Sequence, residues 1–215
     1  MGRALARLMA QRGDALFLLG RDASDLKRSA RDLEVRAGKG QVGTALCDLE
    51  RPETFAPALD AAAAALGGLD AVVVTAGLFA AQEALEADIE LTRRLLTRGG
   101  GTLCVFSSVA GERGRKPVLL YGASKAGLTR YLEGLDHKFR AQGLKTVCVK
   151  PGFVKTSMTE GLRPPPFAAE PEPVARLVLR AIDAGRPVVY APPIWALVML
   201  VIRSLPRFVM RRLGF

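Results

Sequence analysis

The chain has 215 residues, of which 49% are hydrophobic and 24% charged, which is ordinary usage for one globular domain with a sizeable core. Taken alone, its net charge of +10 is compatible with binding to a nucleic acid, an anionic membrane or a phosphorylated ligand. The basic residues form no stripe with interleaved aromatic residues, however, which argues against a nucleic-acid binder. The single histidine, His137, lies in a polar run typical of a helix surface and argues against catalysis by a metal.

The cysteine pattern and the N-terminus bear on the compartment. Three cysteines lie far apart in apolar, strand-like runs, namely Cys47, Cys104 and Cys148. This spacing is typical of buried thiols in a reducing compartment, not of a disulfide or zinc set. The N-terminal segment has no signal-peptide pattern, because Arg3 and Arg7 are spaced through a helical repeat. We therefore expect a cytoplasmic protein.

Helical and strand-like patterns alternate along the chain. In order, they predict a helix over 2–13, a strand over 15–19, a helix over 25–36, a strand over 42–47, a helix over 53–66, a strand over 71–75, a helix over 85–96, a strand over 102–107, a helix over 121–141, a strand over 144–150, a loop over 161–173, a helix over 173–184 and a strand over 187–190. This alternation predicts an α/β fold with a doubly wound parallel sheet. We expect a single domain over residues 1–215, with 191–215 as a C-terminal tail.

A serine, a tyrosine and a lysine at the end of one strand and the start of the next helix predict proton-transfer chemistry. Tyr121 and Lys125 are four residues apart, so their side chains share one face of the helix. A lysine ammonium nearby favours tyrosinate and moves the pKa of a tyrosine, ordinarily about 10, towards neutral pH. Ser108 ends the preceding strand, where its hydroxyl can hold a carbonyl oxygen. A surface Tyr–Lys pair is the alternative interpretation.

The context of these residues narrows the interpretation. They lie within SSVAGERGRKPVLLYGASKAG (Ser107–Gly127), which closely resembles the short-chain dehydrogenase/reductase family. The resemblance extends over essentially the whole chain and implies a Rossmann-type nucleotide-binding fold. It also implies a nicotinamide-dependent enzyme that reduces a ketone or oxidises a secondary alcohol, with Ser108, Tyr121 and Lys125 as catalytic residues. In that family the lysine also binds the nicotinamide ribose, so that both Tyr121 and Lys125 are expected at the cofactor.

Further short motifs match the cofactor-binding positions of the family in order. The resemblance assigns cofactor contacts to Gly2 at the start of the first helix, Asp48 and Leu49 after the strand over 42–47, Ala76 and Gly77 after the strand over 71–75, and Pro151, Gly152, Val154 and Thr156 in PGFVKT. Gly2 resembles the last glycine of the turn that directs helix N–H groups at a pyrophosphate. Thr75 replaces the asparagine that the family has there. Each motif alone is equally consistent with a structural turn.

The residues after the second strand of the family bear on the choice of cofactor. An acidic side chain at that place would bind a ribose 2′-hydroxyl, whereas this chain has Gly20 followed by Arg21. A guanidinium suits a 2′-phosphate, so the sequence favours NADP(H) over NAD(H). The alternative is that Arg21 merely faces solvent.

Three features of the family are missing from the printed sequence. The first strand and most of the glycine-rich turn are absent, which predicts either a hole in the sheet or direct pairing of the two strands beside it. The segment between Gly77 and Ser107 is too short for the whole fourth helix of the family. The chain contains no asparagine, so the relay asparagine of that helix is absent. A start site upstream of Met1 explains the first gap only. The other explanation is a decayed, non-catalytic remnant or scaffold.

The C-terminal tail over 191–215 combines an apolar run with arginines. Ile194–Ile202 is far shorter than the ~20 residues that span a bilayer, and Pro206 divides the tail into two helices. Trp195 and the interspersed arginines predict an amphipathic anchor on an anionic membrane surface. The alternatives are a helix pair that covers the substrate cleft and an interface in a homo-oligomer.

The tail also sharpens the resemblance. Three segments together are similar to the decaprenylphosphoryl-2-keto-pentose reductase branch of the family. They are AGERGRKPVLLYGASKAGL, PGFVKTSMTEGL and VVYAPPIWALVMLVIRSLPRFVMRRL. That resemblance implies a lipid-linked ketone substrate and a membrane-peripheral enzyme. The branch is associated with NADH, whereas Arg21 favours NADP(H). The sequence leaves open which small-molecule or lipid-linked ketone is the substrate.

Overall fold

Helices and parallel strands alternate in the computed structural model, which describes residues 1–37, 42–75, 91–156, 159, 161 and 163–213. The helices are α1 (Gly2–Arg12), α2 (Ala23–Ala37), α3 (Phe55–Leu66), α4 (described over 91–97), α5 (Leu119–Phe139), α6 (Pro171–Asp183), α7 (Ile194–Ser204) and α8 (Arg207–Arg212). The strands are β1 (Leu16–Gly20), β2 (Val42–Leu46), β3 (Ala71–Val74), β4 (Gly101–Phe106), β5 (Leu144–Pro151) and β6 (Val188–Ala191). The predicted α/β fold is confirmed.

The strands form two parallel sheets instead of one. Among the described strands, β1 pairs only with β2, whereas β3, β4, β5 and β6 form a four-stranded sheet in that order. Within the described part of the chain, β1 and β3 are not hydrogen-bonded to each other. Of the two outcomes expected for the sheet, the structure shows the gap and not direct pairing. The strand order reverses at this gap, which makes it the topological switch point where nucleotides bind to such folds.

Helices cover both faces of the four-stranded sheet. α1 and α6 pack on one face, where Leu5 and Val178 join Val149 in a buried cluster. α3, α4 and α5 pack on the other, where Leu95 and Leu132 contribute to a second cluster. β4 and β5 are buried over almost their whole length because both of their faces are covered, which explains the apolar runs at their centres.

Several predicted boundaries shift. The helix predicted over 121–141 begins earlier, at Leu119, and ends at Phe139. The loop predicted over 161–173 is shorter, because α6 already begins at Pro171, and a proline is tolerated in the first turn of a helix. The helix predicted over 85–96 is seen over 91–97. The shortening of the fourth helix is predicted between Gly77 and Ser107, with the junction over 90–101. From residue 91 onward this segment consists of α4, a short turn and β4, whereas residues 76–90 lie outside the described residues.

The tail forms two helices, as predicted. α7 follows β6 directly and ends before Pro206, and α8 begins at Arg207. Over the residues that the structure describes, no helix combines the length and the apolar character needed to cross a bilayer. His137 is exposed on α5, as predicted.

Candidate active site

Ser108 lies just beyond the buried end of β4. Its backbone is extended, and it caps a short 3-10 turn over Val109–Gly111. The Ser108 Oγ accepts a hydrogen bond of 3.1 Å from the N–H of Ala110. Because this bond uses only one lone pair, the hydroxyl keeps its proton to donate. The side chain is buried and held in one orientation.

Two glycines allow the turn after Ser108 to lie directly against α5. A Cβ on Gly111 would stand 2.7 Å from the backbone nitrogen of Ala126, and one on Gly122 would stand 2.9 Å from the carbonyl oxygen of Ala110. Real Cβ atoms essentially never come so close to backbone atoms. The backbone of the Ser108 turn therefore packs against the stretch of α5 that carries Tyr121 and Lys125. The sequence analysis did not single out these glycines.

Lys125 lies between β4 and Tyr121. Its Nζ donates a hydrogen bond of 2.9 Å to the carbonyl oxygen of Phe106 and lies 5.8 Å from the centroid of the Tyr121 ring. Burial lowers the pKa of the Lys125 ammonium from its ordinary value. The ammonium is thus fixed beside the tyrosine, as the i, i+4 spacing predicts.

A small network of hydroxyls secures α5 to the end of β4. The Ser107 Oγ donates a bond of 2.9 Å to the carbonyl oxygen of Lys125 and lies 2.8 Å from the Thr129 Oγ1. The Thr129 hydroxyl lies 2.8 Å from the same carbonyl. Ser107 therefore positions the backbone at Lys125, whereas the neighbouring Ser108 directs its side chain elsewhere. No sequence motif points to Ser107 or Thr129 as a positioning residue.

A buried ion pair connects the Ser108 loop to the end of β5. The Lys150 Nζ lies 2.5 Å from the Glu112 Oε1, and a nitrogen of Arg203 on α7 lies 3.3 Å from the other carboxylate oxygen. The Lys150 Nζ also lies 5.4 Å from the centroid of the Tyr190 ring. Burial raises the pKa of Tyr190. These residues link the site to the tail, and the sequence analysis missed them.

The start of α1 and the end of β3 meet at the switch point. A Cβ on Gly2 would stand 2.7 Å from the Thr75 Oγ1, so any other residue at this position would require Thr75 to shift. The expected ligands Ala76 and Gly77, which follow directly, lie outside the described residues. The Gly2–Thr75 contact brings the N-terminus of an 11-residue helix to the carboxyl end of a parallel strand, which is the geometry that binds anions.

Arg21, Asp48 and Leu49 lie at the carboxyl ends of β1 and β2. Arg21 is exposed, and its side chain forms no hydrogen bond or ion pair with any described residue. The carboxylate of Asp48 accepts a bond of 3.1 Å from the N–H of Glu50, and its own N–H donates to the Thr54 hydroxyl. Leu49 is half-buried. Asp48 therefore stabilises a turn in addition to any role at a ligand.

The PGFVKT segment lies at the carboxyl end of β5. The N–H of Gly152 donates to the carbonyl oxygen of Ala191, and a Cβ on Gly152 would overlap the Trp195 indole. Val154 is buried and pairs with Ala169, whereas the N–H of Thr156 donates to the Thr159 hydroxyl. Pro151 is the last residue of the strand. The segment is thus held by β6 and α7.

These positions together fit a dinucleotide. Four of these residues lie at the carboxyl ends of parallel strands, namely Gly2, Arg21, Asp48 and Pro151. Open α/β sheets bind their ligands at that edge. The close approach at Gly2 leaves helix N–H groups for a pyrophosphate, and the unpaired guanidinium of Arg21 suits a phosphate. Lys125 is expected at a nicotinamide ribose, beside Tyr121.

Comparison with known proteins identifies the family. Residues 1–166 match the family model described as short chain dehydrogenase. The chain is 34% identical to an uncharacterized oxidoreductase of Mycobacterium tuberculosis, an alignment that covers 99% of this chain and 92% of that protein. Two solved structures are 20% identical and share the fold. One is a short-chain type dehydrogenase/reductase from Mycobacterium ulcerans, with a TM-score of 0.79 and coverage of 88% of this chain and 82% of that chain.

The second solved structure is the L-sorbose reductase of Gluconobacter frateurii in complex with NADPH and L-sorbose, with a TM-score of 0.74 and coverage of 88% of this chain and 89% of that chain. The family match extends from the first helix to beyond the PGFVKT segment, so it includes every described element that carries a candidate site residue. The chain is an oxidoreductase that belongs to the short-chain dehydrogenase/reductase family.

Proposed function

We propose that this chain reduces a ketone to a secondary alcohol with a nicotinamide cofactor, and catalyses the reverse oxidation when conditions favour it. The arrangement of the Ser108 turn, Tyr121 and Lys125 carries the proposal. Backbone contacts at Gly111 and Gly122 hold the turn against α5, and the Lys125 ammonium lies beside the Tyr121 ring. Each of the three side chains then has one task in carbonyl reduction.

Ser108 orients the substrate carbonyl by donating its hydroxyl proton to the carbonyl oxygen. Tyr121 donates its phenolic proton to the same oxygen as negative charge develops there. Lys125 stabilises the resulting tyrosinate, and its hydrogen bond to the Phe106 carbonyl fixes its position. When bound, a reduced nicotinamide supplies the hydride. The residues expected to hold it are those of the PGFVKT segment together with Lys125.

We propose NADP(H) as the preferred cofactor and NAD(H) as the weaker one. Arg21 supports this preference, because its guanidinium is exposed at the end of β1 and forms no ion pair within the described ranges. A carboxylate there would repel a 2′-phosphate, whereas the adjacent Asp22 uses its carboxylate to accept from Ser24 and Asp25 at the start of α2.

We propose a hydrophobic or lipid-linked ketone as the substrate and the cytoplasmic face of a membrane as the place of action. The similarity of the tail and the PGFVKT region to reductases of decaprenylphosphoryl-linked keto-pentose supports this substrate class. Leu119 and Leu120 also support it, since they are 70% and 80% exposed directly before Tyr121. The two leucines offer apolar contacts to such a substrate next to the tyrosine in the chain.

Oxidation of NADPH with a panel of ketones, measured for the wild type and for Tyr121→Phe, tests the catalytic proposal. The panel includes one short ketone and one with a long alkyl chain. Tyr121→Phe should lose at least a hundredfold in kcat, since general acid catalysis contributes about that much. Tyr131→Phe on the same helix is the matched control and should keep its rate. Equal rates for wild type and Tyr121→Phe would end the proposal.

A second candidate function is a non-catalytic nucleotide-binding remnant, and the gap between β1 and β3 favours it. Thermal unfolding with and without NADPH separates the two candidates. An enzyme that binds the cofactor gains about 2.7 kcal/mol at a hundredfold excess over Kd. A stabilised protein without turnover supports the remnant, whereas a protein with neither property contradicts both.

A further inference from the structure

Helix α7 exposes apolar side chains on its outer face. Met199 points into the protein and is 2% exposed, whereas Ile194, Leu197, Leu200 and Val201 are 38%, 60%, 54% and 55% exposed. Positions 194, 197 and 201 follow the helical repeat and lie opposite Met199. A surface helix of a globular protein ordinarily carries polar residues there. Contiguous exposed apolar surface of this kind marks an interaction site.

The charged side chains of the tail itself are all positive. Residues 191–215 contain four arginines and no aspartate or glutamate. Arg203 faces Glu112, but Arg207, Arg211 and Arg212 on α8 are exposed and form no ion pair within the described part of the molecule. The partner of this surface therefore has to supply anions beside an apolar phase.

The two helices are held in place on the body of the protein. Arg113 donates a bond of 2.7 Å to the carbonyl oxygen of Leu205, and Lys116 donates one of 2.7 Å to that of Arg211. Both acceptors lie at helix C-termini, where cations are favourable. The apolar outer face of α7 is consequently presented in a fixed orientation.

Further apolar side chains are exposed on α8 and in the segment directly before Tyr121. Phe208 on α8 is 62% exposed. Lys116 ties α8 to the segment that leads into Leu119 and Leu120, the two exposed residues before Tyr121. The same segment of the chain thus contacts the tail and carries the candidate acid.

We propose that the outer face of α7, with Phe208 of α8 and the Leu119–Leu120 pair, docks onto an anionic membrane surface. The apolar side chains enter the interface and the α8 arginines bind lipid phosphates, as in interfacial amphipathic helices. A second copy of the chain suits this surface poorly, because a two-fold contact would bring the arginines of two tails together and the tails contain no acidic residue to offset them. Docking itself does not require turnover, and only the entry of substrate from the membrane rests on the proposed function.

Flotation of the purified full chain with vesicles tests the proposal. Vesicles of phosphatidylcholine with phosphatidylglycerol are compared with vesicles of phosphatidylcholine alone. Leu197→Gln/Val201→Gln removes apolar area without touching the core, and the matched control is Val35→Gln at an 87% exposed position of α2. Arg207→Gln/Arg211→Gln removes two charges from α8. Its matched control is Lys27→Gln/Arg31→Gln, which removes two charges from α2 at the other end of the molecule.

Wild type and both α2 controls should bind the anionic vesicles at least tenfold more tightly than the neutral ones. Each tail variant should lose about tenfold or more in affinity for anionic vesicles. Arg207→Gln/Arg211→Gln removes two charges that attract the anionic surface, and Leu197→Gln/Val201→Gln removes apolar side chains that enter the interface. Salt should weaken binding of the wild type. Equal binding to both kinds of vesicle, binding unaffected by the tail variants, or no binding overturns the proposal.

Light scattering of the same proteins addresses the rival occupant. If the wild type is a dimer and Leu197→Gln/Val201→Gln is a monomer, the outer face belongs to a second copy and the membrane proposal is overturned. The same mass for the wild type and the variant supports the membrane proposal. Thermal unfolding with NADPH is measured on each variant. A tail variant that keeps its NADPH shift but loses vesicle binding separates docking from cofactor binding.

Discussion

The ammonium of Lys150 lies 2.5 Å from a carboxylate oxygen of Glu112, and the two side chains are only 8% and 6% exposed. Lys150 directly precedes the PGFVKT segment, and Glu112 follows the turn that Ser108 begins. The pair therefore joins the two loops that are expected to hold cofactor and substrate. Arg203 reaches the same carboxylate from α7, so the tail contributes to this connection.

Breaking this buried pair should destabilise the fold strongly. Lys150→Met leaves a buried carboxylate whose described partners are the half-exposed Arg203 and the Tyr190 hydroxyl, and the free energy of unfolding should fall by about 3 kcal/mol or more. Urea unfolding measures the change. The matched control is Lys155→Met, which breaks an exposed pair with Glu170 and should cost less than about 1 kcal/mol.

The double variant Lys150→Met/Glu112→Leu tests the physical reason. It removes both charges, so it should recover much of the stability that Lys150→Met loses. A loss below about 1 kcal/mol for Lys150→Met would show that the pair is not desolvated as the structure has it.

Adding a methyl group to one glycine of α5 should impair catalysis, and adding it to another should not. In Gly122→Ala the new methyl stands 2.9 Å from the Ala110 carbonyl oxygen and displaces the Ser108 turn. We expect kcat to fall at least tenfold, since small misplacements of reacting groups are costly. Gly127→Ala on the same helix has open space and should raise stability by about 0.5–1 kcal/mol at unchanged activity. Similar kcat values for the two variants would contradict the contact.

Replacing Arg21 should change the choice between cofactors. Arg21→Ala removes the guanidinium at the end of β1, so the KM for NADPH should rise at least tenfold while that for NADH stays the same, because a hydrogen bond to a charged group contributes about 1.5–3 kcal/mol. Steady-state kinetics with each cofactor measures this. Arg31→Ala on α2 is the control for a general loss of charge. A parallel change of both KM values would leave Arg21 as a solvent-facing residue.

Alkaline pH should destabilise the protein through Cys104. Burial raises the pKa of this thiol to about 12 from an ordinary 9.0. Below pH 9 both folded and unfolded states hold the proton, whereas above it the unfolded state releases the proton first. Stability should therefore fall by about 1.4 kcal/mol per pH unit above pH 9, from this group alone.

Urea unfolding between pH 8 and pH 10.5 measures that slope. Cys104→Val replaces the thiol by a side chain of similar size. It should reduce the slope by about 1.4 kcal/mol per pH unit, which is the contribution of one proton. An identical slope in the variant would mean that other groups account for the alkaline loss.

The sequence by itself determined the local parts of the site. Tyr121 and Lys125 share a helix face because they are four residues apart, and this relation needs only that the helix forms. Alternation of apolar strands and amphipathic helices likewise fixed the α/β class. The family motifs added the expected cofactor positions, and the structure brings Gly2, Arg21, Asp48 and Pro151 to the ends of parallel strands.

Only the tertiary structure decided the relations between distant segments. Glu112 and Lys150 are 38 residues apart, and no periodic pattern connects them. The separation of β1 from β3 depends on which strand edges find a partner, which local preference does not encode. The apolar run of α7 could equally have been buried, and the placement of Met199 inward leaves Leu197 and Val201 outside. Burial is a property of the whole packing, because a side chain is removed from water only by the elements that come to lie over it.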